Sequence, residues 1–158
     1  MDYKIDDLNV GKRLEELNLI LPNSLAFFPE NFEKAEGKEN FIFTDSLADL
    51  NKIFRQKNIQ LEVFGQNTEL YRTRKNADIY LPAIFLSLSL ISENPSIISF
   101  SLNLLSSYVF ERLKGSIGRK TVQIEFFIET KEKGKLKKLS YKGDADGLEK
   151  LENIIKSF

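Results

Sequence analysis

The sequence predicts an α+β fold, a single two-layer domain with a C-terminal β-hairpin-helix unit and a central apolar helix pair. Three observations carry that expectation. The last third of the chain alternates apolar and charged residues across a glycine turn and then changes to helical spacing. The stretch from Ile79 to Phe110 holds one charged residue, Glu93. The 158 residues show no internal repeat and no long linker, and a chain of that length buries roughly 70% of its unfolded surface in one core.

The elements follow in chain order. Val10, Leu14 and Leu17 recur at i, i+4 and i+7, which predicts a short amphipathic helix over 9–18, ended by Pro22. Leu25 to Phe28 forms an apolar run read as a strand. Pro29 with the following ENFEKAE reads as a helical turn. FIF at 41–43 reads as a buried strand, and TDS after it supplies capping oxygens for a helix whose face is Leu47, Leu50, Ile53 and Phe54. Ile59, Leu61 and Val63 alternate with polar residues as a half-buried strand, ended by Gly65.

This acidic N-terminal α/β part, 1–78, closes with a polar loop bearing Arg72, Arg74 and Lys75. The apolar segment 79–114 comes next. PAIFLSLSLIS at 82–92 satisfies strand alternation and buried-helix composition alike, and we read it as helix. Asn94 as cap and Pro95 as first helical residue start a second helix reaching Lys114. Its apolar stripe is Ile98, Leu102, Leu105 and Val109; its opposite stripe, Ser96, Ser99, Asn103 and Ser106, is small and neutral where a solvent-facing helix carries Lys or Glu. That stripe is expected to lie against another element, of this chain or of another.

The hairpin-plus-helix part, 119–158, places strands over 121–130 and 136–142 around Lys133-Gly134. Opposing Glu132 to Lys135 sets Ile128 against Leu139, Phe126 against Tyr141, Glu129 against Lys138 and Glu125 against Lys142. Apolar and ionic pairs then separate onto opposite faces. The last helix starts at Asp146, with Glu149 three residues on as in a capping box, and buries Leu148, Leu151, Ile155 and Phe158.

Composition excludes whole classes of chemistry. There is no cysteine and no histidine, so thiolate nucleophiles, disulfides, the usual zinc sites and histidine-based nucleophile pairs are impossible. GSIGRKT at 115–121 lacks the glycine a phosphate loop needs before its lysine, and its helix-then-strand order is reversed. DADG at 144–147 lacks the remaining ligands of a calcium loop and reads as a turn and helix cap. A hydrolase built on carboxylates ranks last, since no acidic pair stands in an apolar setting. No catalytic residue, metal site or cofactor is expected, and the chain is read as a non-enzyme.

Net charge is zero, but residues 1–49 hold five basic and eleven acidic side chains, leaving the remainder at +6. The balance argues against nucleic acid as partner. Six lysines between Lys131 and Lys142 form the densest basic cluster, with Glu125, Glu129 and Glu132 placed to neutralise three of them. Arg72, Arg74 and Lys75 are the candidates for a phosphate or carboxylate ligand, arginine being the natural fork for such anions. Within 79–110 the uncharged pieces are 14 and 17 residues, shorter than the roughly 20 needed to span a bilayer. This argues against a membrane partner. The acidic start MDYKIDDLNVGKRLEEL carries no secretion signal, and the expected setting is cytoplasmic.

SLISENPSIISFSLNLLSSYVFERLKG followed by VQIEFFIETKEKGKLKKLSYKGDADGLEKLENIIK resembles small uncharacterised bacterial α/β proteins. The resemblance covers about half the chain and implies an association with phage-defence systems. It carries no active site over. The leading expectation is an accessory or adaptor module that docks onto another protein or self-associates, through its apolar helices or the hairpin edge. The alternatives are an anion or nucleic-acid binder using the basic loop and hairpin, and a membrane-active protein using residues 79–110.

Overall fold

Alternation in the C-terminal third produces two long neighbouring strands within one mixed sheet. The computed structural model describes residues 2–66, 70–73, 78–114 and 121–158. In chain order the elements are β1 (Asp2–Asn9), α1 (Gly11–Leu17), β2 (Leu25–Phe28), β3 (Ile42–Thr44), α2 (Leu47–Gln56), β4 (Glu62–Val63), β5 (Leu70–Arg72), β6 (Ile79–Tyr80), β7 (Ala83–Leu86), α3 (Leu88–Glu93), α4 (Ser96–Leu113), β8 (Val122–Glu129), β9 (Lys135–Gly143), α5 (Ala145–Glu149) and α6 (Leu151–Lys156). The main sheet runs β1-β9-β8-β7-β2-β4, with β6 also on β8. A second, two-stranded sheet joins β3 to β5.

Residues 82–92 correct the expected helix pair. Ala83–Leu86 is a fully buried strand between β2 and β8, and only Leu88–Glu93 is helical. β7 runs parallel to β8, with Ile84 opposite Phe126 and Leu86 opposite Ile128. Adjacent parallel strands need a long crossover, and α3 with α4 supplies it. The change of structure falls at Ser87, whose hydroxyl accepts from Leu90 N at 3.1 Å while Glu129 Oε1 accepts from Leu88 N at 2.8 Å. A long-range carboxylate therefore helps to start the helix, which the local pattern does not reveal.

The hairpin register also differs from the one expected. Phe126 faces Leu139, Ile128 faces Lys137 and Glu125 faces Ser140, two residues away from the expected pairing. Gly134 adopts φ +78, and Lys135 N bonds back to Glu132 O at 3.2 Å. The strands close at Thr130 and Lys135, as Thr130 N bonds to Lys135 O at 3.4 Å, so the loop is longer than a two-residue turn. A slip of two leaves every side chain on its intended face, but the pairs no longer sort by type, since Ile128 faces Lys137, Phe127 faces Lys138 and Glu129 faces Leu136.

One sheet face carries Ile84, Leu86, Ile124, Phe126, Leu139 and Tyr141 beneath the helices. Tyr141 donates to Asp144 O at 2.7 Å under α5, and α4 packs along α5, α6 and α2. The opposite face carries Phe28, Phe85 and Phe127, over which the chain from Pro29 onward folds Phe32 and Phe64. Phe28 is the hub, with ring centroids 4.5 Å from Phe64, 4.9 Å from Phe85, 5.0 Å from Phe32 and 5.3 Å from Phe127. Arg13 of α1 ties down this covering segment by donating to the carbonyls of Phe32 and Ala35.

The final helix starts two residues earlier than the capping-box reading. Asp144 Oδ1 accepts from Gly147 N at 2.8 Å, so Asp144, not Asp146, is the cap, and the helix breaks into α5 and α6 at Lys150.

Candidate interaction surfaces

Helix α4 buries Ile98, Leu102, Leu105 and Val109, the stripe its spacing marks as apolar. The small neutral stripe divides. Ser106 is 2% exposed and donates to Ala145 O at 3.2 Å, and Ser99 donates to Glu152 of α6. Ser96 and Asn103 are exposed. The protein's own C-terminal helices therefore cover the Ser99 and Ser106 side, where small residues permit close approach.

The open face of α4 is turned slightly from the expected stripe and consists of Ser96, Phe100, Asn103, Ser107 and Phe110. Phe100 is 43% and Phe110 51% exposed. Sequence reasoning missed both phenylalanines because an aromatic in an apolar run reads as core. A signal was present: 96, 100, 103, 107 and 110 follow the 4-3-4-3 spacing of one helical face. No charged residue interrupts that face between Glu93 and Glu111.

A second surface is a cleft of about 450 Å³ on the face of the sheet that the phenylalanine cluster leaves open. Arg72, Glu30, Gln123, Glu125, Ser140 and Lys142 are among the residues lining it. Arg72, one of the expected anion ligands, is half-exposed, with Nε 3.5 Å from Glu30 Oε2. Thr44 donates to the other oxygen of Glu30 at 2.8 Å. Arg74 and Lys75 lie outside the described residues, as does 115–120 of the GSIGRKT string. The cleft is edged by Asp2, Glu30 and Glu125 against Lys4, Arg72 and Lys142, a balance that favours neither an anion nor a cation.

Three of the six hairpin lysines, Lys135, Lys137 and Lys138, form ion pairs, though not as the expected register had it. Lys138 Nζ lies 2.7 Å from Glu33 and 3.4 Å from Glu125, and 5.8 Å from the centroid of the Phe127 ring. Burial disfavours its charge, yet the hydrogen bond to Glu33 and the charge of Glu125 outweigh it and raise its pKa. Lys135 pairs with Glu132 at 2.7 Å, and Lys137 pairs with Asp7. Glu129, expected opposite Lys138, caps α3 instead.

The hairpin edge itself is not free. β1 covers β9 along eight residues, setting Asp2, Asp6 and Asp7 opposite Lys142, Lys138 and Lys137, while β6 and β7 cover β8. The expected docking edge is thus an interior seam, closed by the acidic N-terminal strand. The pairing follows the charge asymmetry of the sequence, an acidic first third and a basic remainder.

Elsewhere the perturbed groups belong to structural contacts. Hydrogen bonds from Thr121 and Gln123 lower the Asp78 carboxyl, and those from Lys156 and Ser99 lower Glu152. Burial raises the Tyr108 hydroxyl. Among the described residues no three acidic side chains gather in a way that could hold a metal ion, and no helix is long and apolar enough to cross a membrane.

Fold and surfaces define an α+β domain whose most unusual exposed feature is an uncharged aromatic helix face. No protein-family model matches the chain, and neither a curated protein nor a solved structure matches it.

Proposed function

We propose that this chain is a non-catalytic docking module that engages another protein through the open face of α4. The observation carrying the proposal is the uninterrupted neutral stripe Ser96, Phe100, Asn103, Ser107 and Phe110 in a chain that is otherwise 29% charged. Its occupant is an α-helix of the partner with a small, uncharged contact ridge. Phe100 and Phe110 stand ten residues apart, about 15 Å along the axis, and the small side chains at 103 and 107 leave a saddle about the width of a helix. An uncharged face offers no partner to an incoming ion, so a charged ridge would be desolvated without compensation. Burying the exposed half of each ring is worth about 1 kcal/mol. The pairing of Arg72 with Glu30 weighs against the anion-binding alternative.

A photocrosslinking phenylalanine analogue at position 100, expressed in the native host, tests the reading. Mass spectrometry should locate crosslinks in a helical segment of one partner protein, and Phe110→Glu should abolish them. Crosslinks confined to this chain's own copies, or unaffected by Phe110→Glu, would overturn the proposal.

A further inference from the structure

We propose that β1 is a self-complementary edge through which two copies of this chain join their sheets across a two-fold axis at Ile5. The inference is independent of the α4 proposal. β1 is an outer strand of the main sheet, and no described strand pairs with its far side. Its eight residues pair with β9 without a bulge and include no proline, so neither of those devices blunts the edge. Two large apolar side chains sit along it, Tyr3 at 47% and Ile5 at 39% exposure.

Charge selects both the occupant and the register. If two β1 strands pair antiparallel with Ile5 opposite Ile5 of the second copy, Lys4 of each stands opposite Asp6 of the other. Tyr3 then faces Asp7, and Asp2 faces Leu8. Moving the register by two in one direction sets Lys4 against Lys4; in the other it sets Asp6 against Asp6. Shifts by one turn one sheet over, because the side-chain period is two. Of the registers that keep the helices of both copies on one side, the Ile5-centred one pairs the most residues while meeting every Lys4 with an acid; one centred on Tyr3 sets Lys4 opposite Asp2 but pairs only residues 2–4 of the strand. Lys4 lies 3.6 Å from Asp6 within the strand, and both are exposed enough to exchange that partner for its equivalent in the second copy. Such a contact is isologous and closes at two subunits.

Light scattering across a concentration series tests this, with thermal melts confirming folding. The wild-type chain should reach about twice 18.2 kDa. Lys4→Asp and Asp6→Lys should each weaken association at least about tenfold, because two attractive pairs become two repulsive ones. Mixing the two variants should restore the doubled mass, because the carboxylate introduced in one chain then faces the ammonium introduced in the other. If Asp6→Lys fails to fold beside Lys138, Ile5→Lys decides the matter by setting two lysines on the axis, and it should give a monomer. Phe100→Glu with Phe110→Glu should keep the doubled mass. A wild-type monomer at every soluble concentration, a dimer indifferent to the β1 changes, or one lost only with the α4 changes would each overturn the inference. The last of these would leave α4 as the self-contact.

Discussion

Adjacent serines on α4 are expected to respond oppositely to the same substitution. Ser106 is 2% exposed, faces α5 and donates to Ala145 O at 3.2 Å, whereas Ser107 is exposed on the open face. Ser106→Leu removes a hydrogen bond worth about 1 kcal/mol and forces a larger side chain into the α4–α5 contact, at about 2 kcal/mol. The expected loss is about 3 kcal/mol. A chain of this length unfolds with an entropy of about 0.33 kcal/mol/K near its melting temperature, so the melt should fall by about 9 °C. Ser107→Leu should stay within about 0.5 kcal/mol, or about 2 °C, since it adds an apolar side chain to a surface already holding Phe100 and Phe110. Calorimetry or circular-dichroism melts with urea titration supply both values. A Ser106→Leu variant melting within about 2 °C of the wild type would refute the reasoning that small residues on this side exist to bring the C-terminal helices close.

Three further outcomes concern stability. Gly134 has φ +78, and a Cβ there would lie 3.3 Å from Gly11 Cα, so Gly134→Ala should cost about 1–2 kcal/mol in urea titration. Gly11→Ala, whose Cβ would meet its nearest neighbour at 3.9 Å at the start of α1, should be neutral or stabilising by up to about 1 kcal/mol. Burial pushes the Tyr141 hydroxyl up to about 12, with the charges of Asp144, Asp146 and Asp2 adding to it. Its folded pKa thus exceeds the unfolded value, so its contribution is complete below about pH 10 and disappears as pH rises toward 12, on the order of 2 kcal/mol in all. Comparing stability between those limits for wild type and Tyr141→Phe checks this, and an equal alkaline slope in the two would contradict it.

Local chemistry was sufficient for much of this protein. The absence of histidine and cysteine excluded their chemistry outright. Helical spacing placed Leu47, Leu50 and Phe54 on one buried face of α2, and Ile98, Leu102, Leu105 and Val109 on one buried face of α4. Alternation put the hairpin side chains on their true faces, because face depends on a period of two that neighbouring residues reveal. What required the tertiary structure was every feature decided by a distant partner. AIFL became a strand because β2 and β8 flank it, and Glu129, 41 residues away, accepts from the first amide of the helix that follows. The N-terminal DYKIDDLN became a strand because basic β9 offered it an edge and lysines in register. The hairpin settled two residues from its two-residue-turn register because Thr130 pairs with Lys135 across a longer loop and Gly134 takes a left-handed conformation. On α4 the sequence identified a neutral face, but which small side chains faced α5 and α6, and which stood beside exposed Phe100 and Phe110, depended on where the C-terminal helices docked. A helix's own periodicity defines its faces; only the elements packed against it decide which face is left to the solvent.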